Sequence, residues 1–183
     1  MYEVMLHDER IEGNTPDWDG MTGFSVSKDD PLERILGWVR AVHKSHGQME
    51  ELGIIGHGYV RIYAAGIKFG GYGVEFGKEN IFLSNTHKWR AIRGMAKRII
   101  VYACNAADVD PLAGGQGNGR QLCRQLATES DTPVLAAVRT QRYDRSMNPR
   151  HWDEVKFGNW EGPVFLFLPN GTVHNVTPEA GSH

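Results

Sequence analysis

The sequence has few of the features that mark secreted, membrane-spanning or nucleic-acid-binding proteins. It contains two cysteines among 183 residues, too few for a disulfide framework. The formal net charge of -2 gives no reason to expect nucleic acid or an anionic membrane as a partner. No apolar run approaches the roughly 18 residues that a membrane span needs, and the amino terminus does not resemble a signal peptide. We therefore expect a cytoplasmic protein, and the alternative left open is secretion by a route without a cleaved signal.

The composition is that of an ordinary globular protein. Hydrophobic residues make up 40% of the chain and charged residues 23%. A chain of 183 residues can bury one core that needs no disulfide or metal. We predict a single domain over residues 1–178, followed by a loose tail or expression remnant at 179–183.

Two short apolar runs predict buried parallel strands. One, Leu-Gly-Ile-Ile-Gly at 52–56, is followed by His57-Gly58, and the other, Ile-Ile-Val-Tyr-Ala at 99–103, is followed by Cys104. Unbroken runs rich in Ile and Val are typical of strands that are covered on both faces. In open α/β folds the carboxyl ends of such strands border the ligand crevice. We therefore expect an imidazole and a thiol to lie side by side at one edge of a sheet.

The rest of the chain alternates strand and helix patterns. Helices are predicted from Asp30-Pro31 to Gly47, over 86–97 and over 118–130. Strands are predicted at 2–6, 24–27 and 133–138, with glycine-rich hairpins between 59 and 83 and a closing hairpin formed by 164–168 and 172–176. Polar loops are predicted at 7–23, 105–117 and 139–160. The pattern indicates an α/β domain: a mostly parallel sheet with helices on both faces and a C-terminal hairpin.

A cysteine and a histidine at one sheet edge suit nucleophilic catalysis. The thiolate is the nucleophile, and a neighbouring histidine can form an ion pair with it and later protonate a leaving amine. Gly58 has no side chain, so a substrate carbonyl can approach its backbone N–H closely. With the N–H of Cys104 it would form an oxyanion hole. We expect His57, Cys104 and Gly58 to be the catalytic residues.

These motifs resemble those of the caspase-like (clan CD) cysteine peptidases, and are most similar to bacterial CHAT-type domains. The matching segments are Ile-Ile-Gly-His-Gly at 54–58, Ile-Ile-Val-Tyr-Ala-Cys at 99–104 and the closing hairpin at 167–173. The resemblance implies a three-layer α/β sandwich and a His57–Cys104 dyad with oxyanion donors at Gly58 and Cys104. It also implies cleavage of a protein or peptide substrate through a thioester, without a metal or organic cofactor.

The resemblance also bears on the pocket for the substrate residue before the scissile bond (P1). Relatives that cleave after Arg or Lys often carry Asp two positions before the cysteine, where this chain has Tyr102. Asp108 and Asp110 follow Cys104 closely, but we expect these loop acids to be solvated. Arg139 directly follows the strand at 133–138 and could pair with an acidic residue. We predict a P1 residue that is uncharged or apolar first, and acidic second.

A second interpretation is a catalytically inactive caspase-like interaction or scaffold module. On either interpretation the sequence does not identify a regulatory partner. The remaining cysteine, Cys123, lies on a predicted helix face and is expected to pack in the core. His43 and His46 lack a third residue placed to complete a metal site. The absence of a Cys-x-x-Cys motif argues against thioredoxin-type chemistry.

Overall fold

The computed structural model describes residues 2–177 and is built around a seven-stranded sheet. The strands are β1 (Glu3–Asp8), β2 (Met21–Val26), β3 (Glu51–Ile55), β4 (His57–Gly58), β5 (Arg61–Ile62), β6 (Lys68–Phe69), β7 (Val74–Glu75), β8 (Ile99–Tyr102), β9 (Val134–Ala137), β10 (Tyr143–Arg145), β11 (Val155–Phe157), β12 (Val164–Phe167) and β13 (Val173–Asn175). The helices are α1 (Leu32–His46), α2 (Gly119–Ser130) and three 3-10 segments, Ala64–Gly66, Leu83–Ile92 and Pro149–His151. The predicted tail at 179–183 lies outside the described residues.

The main sheet has the strand order β2-β1-β3-β8-β9-β12-β13. The first five strands of this order are mutually parallel, and β12 and β13 are antiparallel to their neighbours. The predicted mostly parallel sheet and C-terminal hairpin are therefore confirmed. The strand order reverses between β1 and β3, and in open α/β sheets the crevice at such a point is the usual ligand site.

Different elements pack on the two faces of the main sheet. On the first face α1, α2 and the 3-10 segment Leu83–Ile92 share one core with alternate residues of the central strands, namely Val4, Leu6, Leu52, Ile54, Ile99, Val101, Val134 and Ala136. On the second face Met5 and Ile55 pack with Val155 and Phe157 of β11. The prediction of helices on both faces is wrong here, because the β10–β11 hairpin covers the second face. This hairpin forms within 139–160, which the sequence pattern predicted to be irregular.

The buried faces of the helices agree with their apolar patterns, but some of the predicted caps and helix ends do not. All five predicted core positions of α1 are buried, and the helix ends at Gly47, which takes a φ of 80°. Asp30 does not cap this helix, since its carboxylate accepts the Ser27 N–H at 2.9 Å. The predicted helix at 86–97 is a 3-10 segment that ends at Ile92. Gly94, with a φ of 68°, turns the chain there and donates to the Ser130 carbonyl at 2.8 Å.

His7 is a histidine buried on β1. Its Nε2 lies 3.0 Å from the Ile11 carbonyl oxygen and its Nδ1 lies 3.1 Å from Thr15 Oγ1. Burial lowers the pKa of His7 below the ordinary value of 6.5, against weaker opposing effects of the Ile11 bond and nearby acids. The folded protein therefore favours the neutral imidazole.

We predict that this histidine makes the fold less stable in mild acid. The unfolded chain binds a proton at His7 below pH 6.5 while the folded chain resists it, so stability is lost as pH falls from there towards the lowered folded pKa. The free energy of unfolding should fall with pH by up to about 1.4 kcal/mol per pH unit because of His7, and His7→Gln should remove this contribution. Urea unfolding between about pH 7.5 and about pH 5.5 measures this, with exposed His174→Gln as the control. An unchanged slope in His7→Gln would contradict the assignment.

Candidate active site

The structure brings the histidine and cysteine motifs together. β3 and β8 are parallel neighbours, with Ile55 opposite Tyr102. His57 and Cys104 each follow these paired residues by two positions, so both leave the sheet at the same edge. A Cβ atom placed on Gly58 would lie 1.7 Å from the Cys104 carbonyl oxygen and 3.2 Å from its nitrogen. The backbones of the two motifs are therefore in direct contact, and only glycine fits at position 58.

Two backbone N–H groups at this contact are free to bind an anion. Tyr59 N–H donates to the Gly73 carbonyl at 3.0 Å, which makes these residues a hydrogen-bonded pair of the β4–β7 ladder. Gly58 and Val74 form the next pair, and alternation makes it a non-hydrogen-bonded one. The N–H of Gly58 therefore points away from β7. Within residues 2–177 the N–H of Cys104 donates no hydrogen bond.

A backbone carbonyl fixes which nitrogen of His57 carries the proton. His57 is exposed, and its Nε2 lies 3.2 Å from the carbonyl oxygen of Arg10. A carbonyl oxygen can only accept a hydrogen bond, so Nε2 is the donor. In the neutral ring Nδ1 is then the basic nitrogen, and it is available to exchange a proton with a neighbouring group.

Arg10 is itself held by two carboxylates. It donates to Asp8 through Nε and Nη2, both at 2.6 Å, and its Nη1 lies 3.0 Å from Glu75 Oε1. The fully buried Asp8 also accepts the Gly77 N–H at 2.8 Å. The hydrogen bond to Asp8 raises the pKa of Arg10. This network fixes the carbonyl that orients His57.

The thiol of Cys104 is half-buried and faces the chain after β9. Its Sγ lies 3.6 Å from the carbonyl oxygen of Gln141. The Gln141 side chain donates in turn to the carbonyls of Arg139 at 3.1 Å and Glu161 at 3.2 Å, which anchors this segment. No hydrogen bond joins the thiol to His57 within residues 2–177. Reaction with His57 as base therefore requires the thiol to leave Gln141.

The two acids of the loop after Cys104, Asp108 and Asp110, accept hydrogen bonds from other parts of the protein. Asp110 is 3% exposed and accepts hydrogen bonds from the hydroxyls of Tyr63 at 2.7 Å and Tyr72 at 2.5 Å. Asp108 accepts the Gly70 N–H at 2.9 Å. The prediction of a solvated carboxylate is therefore wrong for Asp110, whereas Asp108 is only half-buried. Both carboxylates tie the loop after Cys104 to the β5–β6 hairpin region.

The comparisons with known proteins give no relative. No family model, curated protein or solved structure matches the chain. Among residues 2–177 no three His, Cys, Asp or Glu side chains are grouped to hold a metal ion. None of the helices described there is long and apolar enough to cross a membrane.

The other two predicted pocket residues lie on different sides of Cys104. Arg139 is exposed, and its carbonyl accepts the N–H of Asn105, the residue after Cys104, at 2.9 Å. No carboxylate of residues 2–177 pairs with its guanidinium, which borders an open groove with Arg142 and Glu161. Tyr102 instead projects under the second face of the sheet. Burial raises the pKa of its phenol.

The second cysteine is not part of the site. Cys123 is buried on α2, with Sγ 3.8 Å from the Ala106 carbonyl oxygen. Burial raises the pKa of its thiol to about 12, so it stays protonated at neutral pH. The prediction that Cys123 packs in the core is confirmed.

Proposed function

We propose that the protein is a caspase-like cysteine endopeptidase with Cys104 as its nucleophile. The observation that carries this proposal is the contact between Gly58 and Cys104 at the carboxyl ends of two neighbouring parallel strands. This contact brings the segments that carry a thiol, an imidazole with a basic Nδ1 and two free N–H groups to one edge of the sheet. Nucleophile, proton carrier and oxyanion donors are the groups that acyl transfer to a thiol needs.

The reaction follows from these groups. His57 Nδ1 takes the thiol proton, and the Cys104 thiolate attacks the carbonyl carbon of the scissile peptide bond. The N–H groups of Gly58 and Cys104 bind the negatively charged oxygen that forms, and one such donor typically lowers the barrier by about 3 kcal/mol. The imidazolium then protonates the leaving amine, and a thioester remains. Water then attacks the thioester, His57 takes a proton from that water and gives it to the departing Cys104 thiolate, and the new carboxylic acid is released and ionises.

The charges around Cys104 favour a substrate whose P1 residue is not basic. Asp108 and Asp110 are bonded to Gly70 and to two tyrosines, so this loop offers no free carboxylate to a substrate cation. An unpaired buried charge is costly. The free guanidinium of Arg139 borders the groove and would tolerate an acidic residue. We therefore retain the order of preference uncharged or apolar first, and acidic second.

One observation favours a second candidate function, an inactive caspase-like interaction module. The thiol of Cys104 points at the Gln141 carbonyl and makes no hydrogen bond to His57 within residues 2–177. In a scaffold this arrangement would be permanent. In an enzyme it would be a resting state, since catalytic hydrogen bonds are often long or misaligned without substrate.

Alkylation distinguishes the two functions without knowledge of the substrate. We expect iodoacetamide to modify Cys104 well below pH 8, and His57→Ala to slow this reaction by about tenfold or more. Cys123 should stay unmodified because its thiol is buried and its pKa is raised to about 12. The labelled residue is identified by peptide mass spectrometry, and Cys123→Ser gives a single-thiol background. A Cys104 thiol that reacts only above pH 8, at a rate independent of His57, would overturn the peptidase proposal.

A further inference from the structure

A second site lies on the other face of the sheet, under the β10–β11 hairpin. It is a cavity of about 440 Å³, within the range of small-ligand pockets. Its lining includes four aromatic side chains, Trp18, Tyr102, Phe157 and Trp160, beside charged and aliphatic ones. The Tyr102 and Trp160 rings are nearly parallel, at 7° with centroids 5.6 Å apart. Phe157 stacks on Tyr102 at 4.6 Å. Tyr102, Phe157 and Trp160 therefore form one stacked aromatic wall of the cavity.

Two carboxylates lie side by side at one end of this cavity. Glu3 and Glu51 begin the neighbouring strands β1 and β3, are opposite each other in register, and both line the cavity. Glu51 is 7% exposed and pairs with Arg98, whose Nη2 lies 2.8 Å from Glu51 Oε2. Burial and, to a lesser extent, the charge of Glu3 raise the pKa of Glu51. Glu3 has no cationic partner among residues 2–177.

The other charged groups of the cavity do not supply that partner. Glu154 is engaged with His151, its Oε1 lying 3.2 Å from His151 Nδ1. Lys156 is exposed on the hairpin and makes no ion pair with the described residues. Within residues 2–177, Glu3 is therefore a cavity carboxylate that no cation pairs with.

We infer that this cavity binds a small organic cation, an ammonium group on a short apolar chain. The positive charge would lie near Glu3, and the methyl or methylene groups would contact the aromatic rings through cation–π and apolar contacts. The site is separate from the cysteine site. Its charged end, at Glu3 and Glu51, lies at the amino ends of β1 and β3, whereas Cys104 follows the carboxyl end of β8. The inference does not depend on the proposed peptidase activity.

Choline and its neutral isostere 3,3-dimethylbutanol test the charge requirement. The two molecules have nearly the same shape, and binding to the wild-type protein is followed by calorimetry and tryptophan fluorescence. We expect choline to bind and the alcohol to bind about tenfold more weakly or worse. Equal binding of choline and the alcohol, or no choline binding up to about 10 mM, would overturn the inference.

Substitution of Glu3 tests the residue on which the charge argument rests. Glu3→Gln should weaken choline binding about tenfold and leave the weak binding of the alcohol unchanged. Glu33→Gln, an exposed acid on α1 at the opposite face, is the matched control and should change neither. Thermal unfolding of both variants checks that the fold is intact. Equal choline affinity in wild type and folded Glu3→Gln would refute the site.

Discussion

Cys104→Ala and His57→Ala should each abolish peptide hydrolysis, with rates about 10⁴-fold below wild type. The first change removes the only nucleophile that the proposed mechanism has. The second removes the group that takes the thiol proton and protonates the leaving amine. Because the two side chains act as a unit, the double variant should be hardly worse than either single one. The rate is measured on a library of peptides with varied P1 residues.

Cys123→Ser is the matched control for this experiment. It removes the other thiol, which is buried on α2, and should keep hydrolytic activity. Circular dichroism and urea unfolding show whether each variant is folded. Appreciable turnover by purified Cys104→Ala would contradict the mechanism. A wild-type protein that cleaves no library peptide and has an unreactive Cys104 would support the scaffold function.

The central strands could be predicted from the sequence because their burial leaves a local signal. The runs at 52–56 and 99–103 are apolar without a break, as strands covered on both faces require. The meeting of His57 with Cys104 then followed from the rule that parallel strands end at one edge. The β10–β11 hairpin left no such signal. Its strands have three residues each, and they are held in place because Val155 and Phe157 pack on the second face of the main sheet.

The groups that orient the site could not be predicted from local patterns. His57 is bound to the backbone of a residue 47 positions away, Arg10, and Asp8 bonds to Gly77 at a separation of 69. The pairing of Glu3 with Glu51 depends on the register between β1 and β3. Such contacts exist only once the sheet has formed. Asp8 ends the buried strand β1, but the sequence pattern assigned it to the polar loop at 7–23.

Gly58→Ala tests the contact on which the proposed site is built. The added Cβ would lie 1.7 Å from the Cys104 carbonyl oxygen and 2.7 Å from its carbonyl carbon, far inside van der Waals contact. Both are backbone atoms, which cannot swing aside as a flexible side chain could. The β4 backbone and Cys104 must therefore separate, and the two N–H groups lose their common target. We expect hydrolysis to fall about 10²- to 10³-fold and stability to fall by about 1–3 kcal/mol.

Gly37→Ala is the control, because the nearest atom to an added Cβ there is 3.7 Å away. Gly37 lies within α1, so this change should stabilise the protein by about 0.5–1 kcal/mol and leave hydrolysis unchanged. Urea unfolding measures the stability of both variants, and the rate of Cys104 alkylation reports on the site even if no substrate is known. Since the clash displaces Cys104 from its position beside His57, Gly58→Ala should slow alkylation in the folded protein. Wild-type stability together with a wild-type alkylation rate would show that the two motifs do not touch as described.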